Sequence, residues 1–150
     1  MKKNVSVNVT GVHHRQGEEP EKIITTSRGL MEVKDDGIRV VDYVESQETD
    51  GESIKVHNKL LIASDERSMD LVRGGDNKSR LSFGEKMECN TEYNTPYGSL
   101  QMKVKTSSFE YKKSDDEDLI EISADYILEL DGQALSESQI MIEIKEAKTY

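Results

Sequence analysis

A chain of 150 residues and 17.0 kDa suits one domain with one hydrophobic core, spanning residues 1–150. Twenty basic against 30 acidic residues give a formal net charge of -10 with the histidines neutral, which argues against a surface made for phosphate backbones or anionic lipid. Leu, Ile, Val and Phe number 34 of 150, only slightly above the roughly one-fifth below which highly charged chains stay disordered. Composition leaves folding open, and the pattern must decide it.

The start, Met1-Lys2-Lys3-Asn4-Val5-Ser6, lacks the run of about 7–15 apolar residues of a secretory signal. No stretch reaches the roughly 18 apolar residues of a membrane span. Cys89 is the only cysteine, so no intramolecular disulfide can form and a reducing cytoplasmic setting is expected. The Asn-x-Ser/Thr matches at Asn4, Asn8 and Asn77 are then chance.

Alternation dominates from the first strand onward. Val5, Val7 and Val9 share one parity; then come Ile23 to Val33, then Ile38, Val40 and Val44, then Ile54, Val56, Leu60 and Ile62, then Met69, Leu71 and Arg73. Turn chemistry separates them at Gly17–Pro20, Asp35-Asp36-Gly37, Asp50-Gly51, Ser64-Asp65-Glu66 and Gly74-Gly75-Asp76-Asn77. The Ser64–Val72 stretch fits a strand better than a helix, because Met69 and Leu71 keep period two. Phe83, Met87, Cys89 and Tyr93 then share a face against Lys86, Glu88, Asn90 and Glu92. Thr95-Pro96-Tyr97-Gly98 reads as a hairpin turn, Pro presetting the second position and Gly suiting the fourth.

After it Leu100, Met102 and Val104 alternate with Gln101, Lys103 and Lys105, less cleanly through Phe109 and Tyr111 to the charged turn 112–118. Ile120, Ile122, Ala124, Tyr126, Leu128 and Leu130 form the clearest buried face. Asp131-Gly132 is a strong hairpin signal, followed by Ser138, Ile140, Ile142 and Ile144. Eight to ten long strands with short links must close or stack, since an open sheet of that size leaves exposed edges. An all-β, antiparallel up-and-down barrel is the expectation, favoured over a sandwich.

The segment Phe83-Gly84, Thr91, Tyr93, Thr95, Pro96, Gly98, Leu100, Met102 and Thr106, preceded by Met69, Arg73-Gly74 and Arg80, resembles the YwiB-like proteins of Firmicutes. These are small proteins with a calycin-like, lipocalin-like β-barrel and no established function. The likeness runs over nearly the whole chain and is most specific from about Arg73 to Thr106. It implies barrel closure, which alternation alone does not decide, and it implies no catalytic residues.

Motif chemistry is sparse. No G-x-G, Gly-Lys-Ser/Thr or G-x-S-x-G occurs, so neither a glycine-rich phosphate loop nor a nucleophile elbow is supported. Cys89, His57 and the adjacent His13-His14 do not make a zinc set, because adjacent strand residues point to opposite faces. Asp115–Asp118 lacks the ligand spacing and central Gly of a calcium loop and reads as a solvated turn. No metal or cofactor is expected.

Arg73 is the informative residue. It shares parity with Met69 and Leu71 and so points toward the barrel, where a charge needs a partner. It pairs with an internal carboxylate such as Glu85, receives an anionic head group, or faces water at the mouth. Arg28 is ambiguous, since both parities of its strand carry apolar residues. The favoured reading is a non-enzymatic protein binding a small amphipathic or anionic molecule, with Arg73 as anchor and Tyr93, Tyr126, Met87 and Met102 lining the wall. That ligand rests on analogy of fold. The alternative is an interaction module or homodimer with a solid barrel, meeting its partner through Leu61, Leu119 and Ile127. Neither a nucleic-acid nor a membrane partner is expected.

Overall fold

The computed structural model describes residues 2–49, 51–74, 79–95, 97–116 and 118–147, the side chains of 47–49 and 93–95 excepted. Ten strands follow one another: β1 (Lys2–His14), β2 (Glu21–Val33), β3 (Arg39–Thr49), β4 (Glu52–Ile62), β5 (Ser68–Arg73), β6 (Ser79–Gly84), β7 (Glu88–Thr95), β8 (Gly98–Lys113), β9 (Leu119–Leu130) and β10 (Gln133–Glu146). Their spatial order, β6-β5-β4-β3-β2-β1-β10-β9-β8-β7, is the chain order cut between β6 and β7. The ladder from Val5↔Glu146 to His14↔Glu137 joins the first strand to the last. The two edge strands pack beside each other without a ladder among the described residues, so the sheet curls into a nearly closed antiparallel barrel, as the YwiB-like resemblance implies. No helix among the described residues is long and apolar enough to cross a membrane.

Period two explains the interior. Val5 and Val7, Leu60 and Ile62, Met69 and Leu71, Phe83, Val104, Ile120 and Ile122, and Ile142 and Ile144 are almost wholly buried in one cluster. β-Branched residues dominate because a branched Cβ suits the pleated, half-buried wall. The Asp131-Gly132 hairpin has φ values of 50° and 84°, the left-handed pair that matches the twist of the strands it joins. Extra residues at Ser107 and Leu135 interrupt the ladders of β9 with β8 and β10. Each resets the inward parity of its strand, which is why Val104 and Thr106 are followed inward by Phe109 and Tyr111.

The β3 face differs from the expected one. Val41 and Tyr43 are buried and Val40 and Val44 only half-buried, so Arg39, Val41, Tyr43 and Glu45 face inward. The doublets Val40-Val41 and Tyr43-Val44 make both parities apolar, and the pairing Tyr43↔Gly29 and Val41↔Leu60 decides between them. On β2, Met31 and Ser27 are buried while Arg28 is exposed, which settles Arg28 as outward.

The two ends are unlike. At the base, Glu66 on the β4–β5 turn (φ 63°) reaches Arg39 of β3 and Lys113 of β8, each at 3.6 Å. Those strands lie on opposite walls, so one carboxylate ties the base across. At the other end, the mouth, the wall is split. β2 and β3 pair only from Val33↔Arg39 to Gly29↔Tyr43, and the β4–β5 ladder ends at Asn58↔Arg73. Residues 44–49 and 51–57 therefore project as a two-stranded arm, and a wedge opens between this arm and residues 21–28 of β2. At its apex, a Cβ on Gly29 would lie 2.5 Å from the Asp42 carbonyl oxygen, so only glycine admits the approach without a shift.

Candidate functional site: a polar layer at the barrel mouth

Above the apolar core the inward positions turn polar, strand by strand: His13 on β1, Ser27 on β2, Tyr43 and Glu45 on β3, Asn58 on β4, Arg73 on β5, Thr106 on β8, Tyr126 on β9, and Ser136 and Ser138 on β10. Two hydrogen-bonded groups face each other. On one wall, Asn58 Nδ2 donates to Glu45 Oε2 at 2.8 Å, and the Asn58 side chain also hydrogen-bonds the Tyr43 hydroxyl. On the other, Ser138 Oγ lies 2.8 Å from His13 Nδ1 and 3.0 Å from Ser136 Oγ, and it hydrogen-bonds the Tyr126 hydroxyl. Phe83 meets the Tyr126 ring edge-on at 5.0 Å between centroids and fixes its tilt.

Arg73 pairs with Asn58 at the end of the β4–β5 ladder, on the inward parity of its strand but with its side chain exposed at the mouth. Its positive charge acts on His13, Tyr43 and Tyr126 together, residues carried by three different strands. Burial is the main influence on all three: it lowers the His13 pKa below the ordinary imidazole value and raises both tyrosines above the ordinary phenol value. At neutral pH the layer therefore holds a neutral imidazole and two protonated phenols around one guanidinium. Among the described residues no carboxylate lies within ion-pair distance of Arg73, since Glu45 is held by Asn58. The Thr106 hydroxyl is also buried without a hydrogen-bond partner among the described residues. An exposed cation at the rim of a layer of hydroxyl groups can hold an anion by charge-assisted hydrogen bonds.

Of the sequence-predicted site residues, Arg73, Tyr126 and Met102 come to this end of the barrel, Met102 half-buried and paired with Leu130. Tyr93 pairs with Leu100 on the same end, but its side chain lies outside the described residues. Met87 does not join them: it is 38% exposed in the β6–β7 turn at the base. Glu85, expected as an internal partner for Arg73, is exposed in that same turn. Both assignments carried period two through a turn in which Lys86 adopts φ 56°, where alternation no longer holds. Tyr43, Glu45 and Asn58 were not singled out from sequence, His13 was weighed only as a metal ligand, and Ser138 was read only as part of an inward row. The parity that places Arg73 inward also places Asn58 inward, whereas the others depend on register between strands far apart in the chain.

A recess of about 710 Å³ at the base, lined by Glu66, Arg67, Glu85, Lys86, Phe109 and Tyr111, has exposed charges of both signs at its rim. Its Glu66 is already tied to Arg39 and Lys113. Leu61, Leu119 and Ile127, expected to form a contact face, are each half-buried. The described residues hold no group of three or more His, Cys, Asp or Glu that could bind a metal ion. Cys89 is half-buried against the core, and His57 is exposed.

Residues 7–142 match a family described as a domain of unknown function, DUF1934. The chain belongs to the DUF1934 family. No curated protein matches it. Among solved structures, this DUF1934 chain is similar to the crystal structure of the ywiB protein from Bacillus subtilis, with a TM-score of 0.78 at 20% identity over 98% of this chain and 94% of that one. At that identity the likeness establishes the shared barrel fold, in keeping with the YwiB-like resemblance drawn from residues 73–106.

Proposed function

We propose that this DUF1934 chain is a binding protein rather than an enzyme, and that it takes a small anionic or amphipathic molecule into the barrel mouth with Arg73 as the anchor. The observation that carries the reading is Arg73 itself: a guanidinium on the inward parity of β5, exposed at the mouth and unpaired by carboxylate among the described residues, whose charge acts on groups from three strands. A buried, unpartnered Thr106 hydroxyl in the same layer supports it, because such groups ordinarily have a partner. The Ser138–His13 pair in the layer has no carboxylate hydrogen-bonded to the imidazole among the described residues, which favours binding over catalysis. A net charge of -10 favours a small ligand, held by one local cation, over nucleic acid. The single half-buried thiol accords with a cytoplasmic setting.

Native mass spectrometry of protein from its own source tests the reading, with Arg73→Met prepared alongside. A non-covalent mass excess that vanishes on denaturation, and that is absent from Arg73→Met, is expected. A bare wild-type mass, or cargo that Arg73→Met retains, overturns it, and a bare mass at twice the monomer would favour the dimer instead.

A further inference from the structure

The mouth is polar below and apolar above. Ile23 on β2 and Ile54 on β4 occupy inward-facing positions, yet they stay 47% and 46% exposed. An inward apolar side chain that open to solvent borders unfilled space. The two flank the wedge, Ile23 on the β2 side and Ile54 on the projecting arm. Beneath the polar layer the barrel is filled, with Leu60, Ile62 and Phe83 fully buried, so a molecule entering the mouth stops at that layer. A small ion alone would leave both isoleucines in water. A wholly apolar molecule would cover Arg73 and the Thr106 hydroxyl without offering them a partner, which is costly. Both requirements are met by an anionic head pointing down and one aliphatic chain lying upward along the split wall.

We propose that the wedge between β2 and the β3–β4 arm seats the unbranched aliphatic tail of an amphipath whose anionic head lies against Arg73. This rests on the reading of the mouth given above, and adds to it the ligand's class, its orientation and the place of its tail.

The test is calorimetric titration of the full chain with butanoate, octanoate and dodecanoate below their micelle-forming concentrations, and with dodecyl phosphate and neutral dodecanol. Wild type, Arg73→Gln and the double variant Ile23→Ser/Ile54→Ser are compared; both isoleucines are half-exposed, so the double variant keeps its core. Wild-type affinity is expected to rise roughly two- to fourfold per methylene, the range set by partial to full burial of each CH2. The double serine variant flattens that gradient, and Arg73→Gln weakens every anionic member by a common factor of about ten, that of one lost charge-assisted contact. Tighter binding of dodecyl phosphate than dodecanoate identifies a phosphate head, and the reverse a carboxylate; either supports the proposal.

A flat wild-type series, or a gradient that survives in the double serine variant, overturns the tail assignment; if Arg73→Gln still weakens every anion, the reading of the mouth stands without it. Binding indifferent to Arg73→Gln, equal binding of dodecanol, or no binding overturns both.

Discussion

Replacing Gly29 by Ala sets two effects of opposite sign against each other at the apex of the wedge. The φ of Gly29 is not left-handed, so alanine fits its backbone, and restricting the unfolded chain should stabilise by about 0.4–1 kcal/mol. Against this, the added Cβ meets the Asp42 carbonyl oxygen at 2.5 Å and Tyr43 Cβ at 3.0 Å. The oxygen belongs to β3, which is held on its far side by the ladder to β4, so it cannot turn aside as a flexible side chain would. The strands must part by roughly half an ångström or more, at the usual overpacking cost of about 1–3 kcal/mol. The clash wins, for a net loss of about 1–2 kcal/mol, and Tm falls by roughly 3–6 °C in a chain of this size.

Gly11 is the internal control. Its added Cβ meets only His13 Nε2, at 3.5 Å, an ordinary contact, so Gly11→Ala keeps the gain of about 0.4–1 kcal/mol. Urea unfolding of both variants measures the two energies, and amide exchange across residues 29–33 and 39–43 reports whether the short ladder opens first. A Gly29→Ala protein as stable as wild type, or a Gly11→Ala protein equally weakened, would refute the reasoning.

Phe83 is fully buried beneath Tyr126, and Phe83→Ala should cost about 3–5 kcal/mol in urea unfolding, whereas a loss below about 1.5 kcal/mol would mean that the barrel collapses around the gap. Asp118 has its pKa raised to about 6, first by a carboxyl–carboxylate hydrogen bond with Glu146 and next by one with Asp116. A folded value above the unfolded one means that the protonated form favours folding: this contribution is full below about pH 4 and is lost as pH rises through about 6. Asp118→Asn keeps a donor at every pH, so the stability difference should grow in its favour from pH 4 to pH 7; a flat difference, or an Asp118 carboxyl titrating in the ordinary range by NMR, removes the claim.

Where one parity was clean, the residues alone were enough. Met69 and Leu71 predicted a strand and its buried face, with Arg73 on the same parity but exposed at the strand's end, and Ile120 to Leu130 predicted an inward row that is buried from Ile120 to Tyr126 and half-buried beyond. Alternation failed where chain geometry broke it. A turn through Lys86 placed Met87 and Glu85 on the base, and the doublets Val40-Val41 and Tyr43-Val44 left the β3 face undecided until a neighbour fixed the register. The site itself was only partly legible. Ser138 meets His13 across 125 positions of sequence, and nothing local to either residue announces that contact.

Among the described residues every ladder but one joins strands adjacent in sequence, and the exception has a consequence for biosynthesis. Val9 awaits Ile142, so at about 5–20 residues per second β1 spends roughly 7–27 s of translation with no partner on that side. Throughout that wait Val5, Val7 and Val9 form one face of a strand with a bare edge, the kind of segment that recruits another chain. The opposite face carries Lys2, Asn4, Ser6 and Asn8, and most of the acidic excess accumulates as synthesis proceeds. The net charge has reached only -2 by residue 109, so for most of that wait it is the polar outer face of β1, and not charge repulsion, that guards the edge until the last strand arrives to take it.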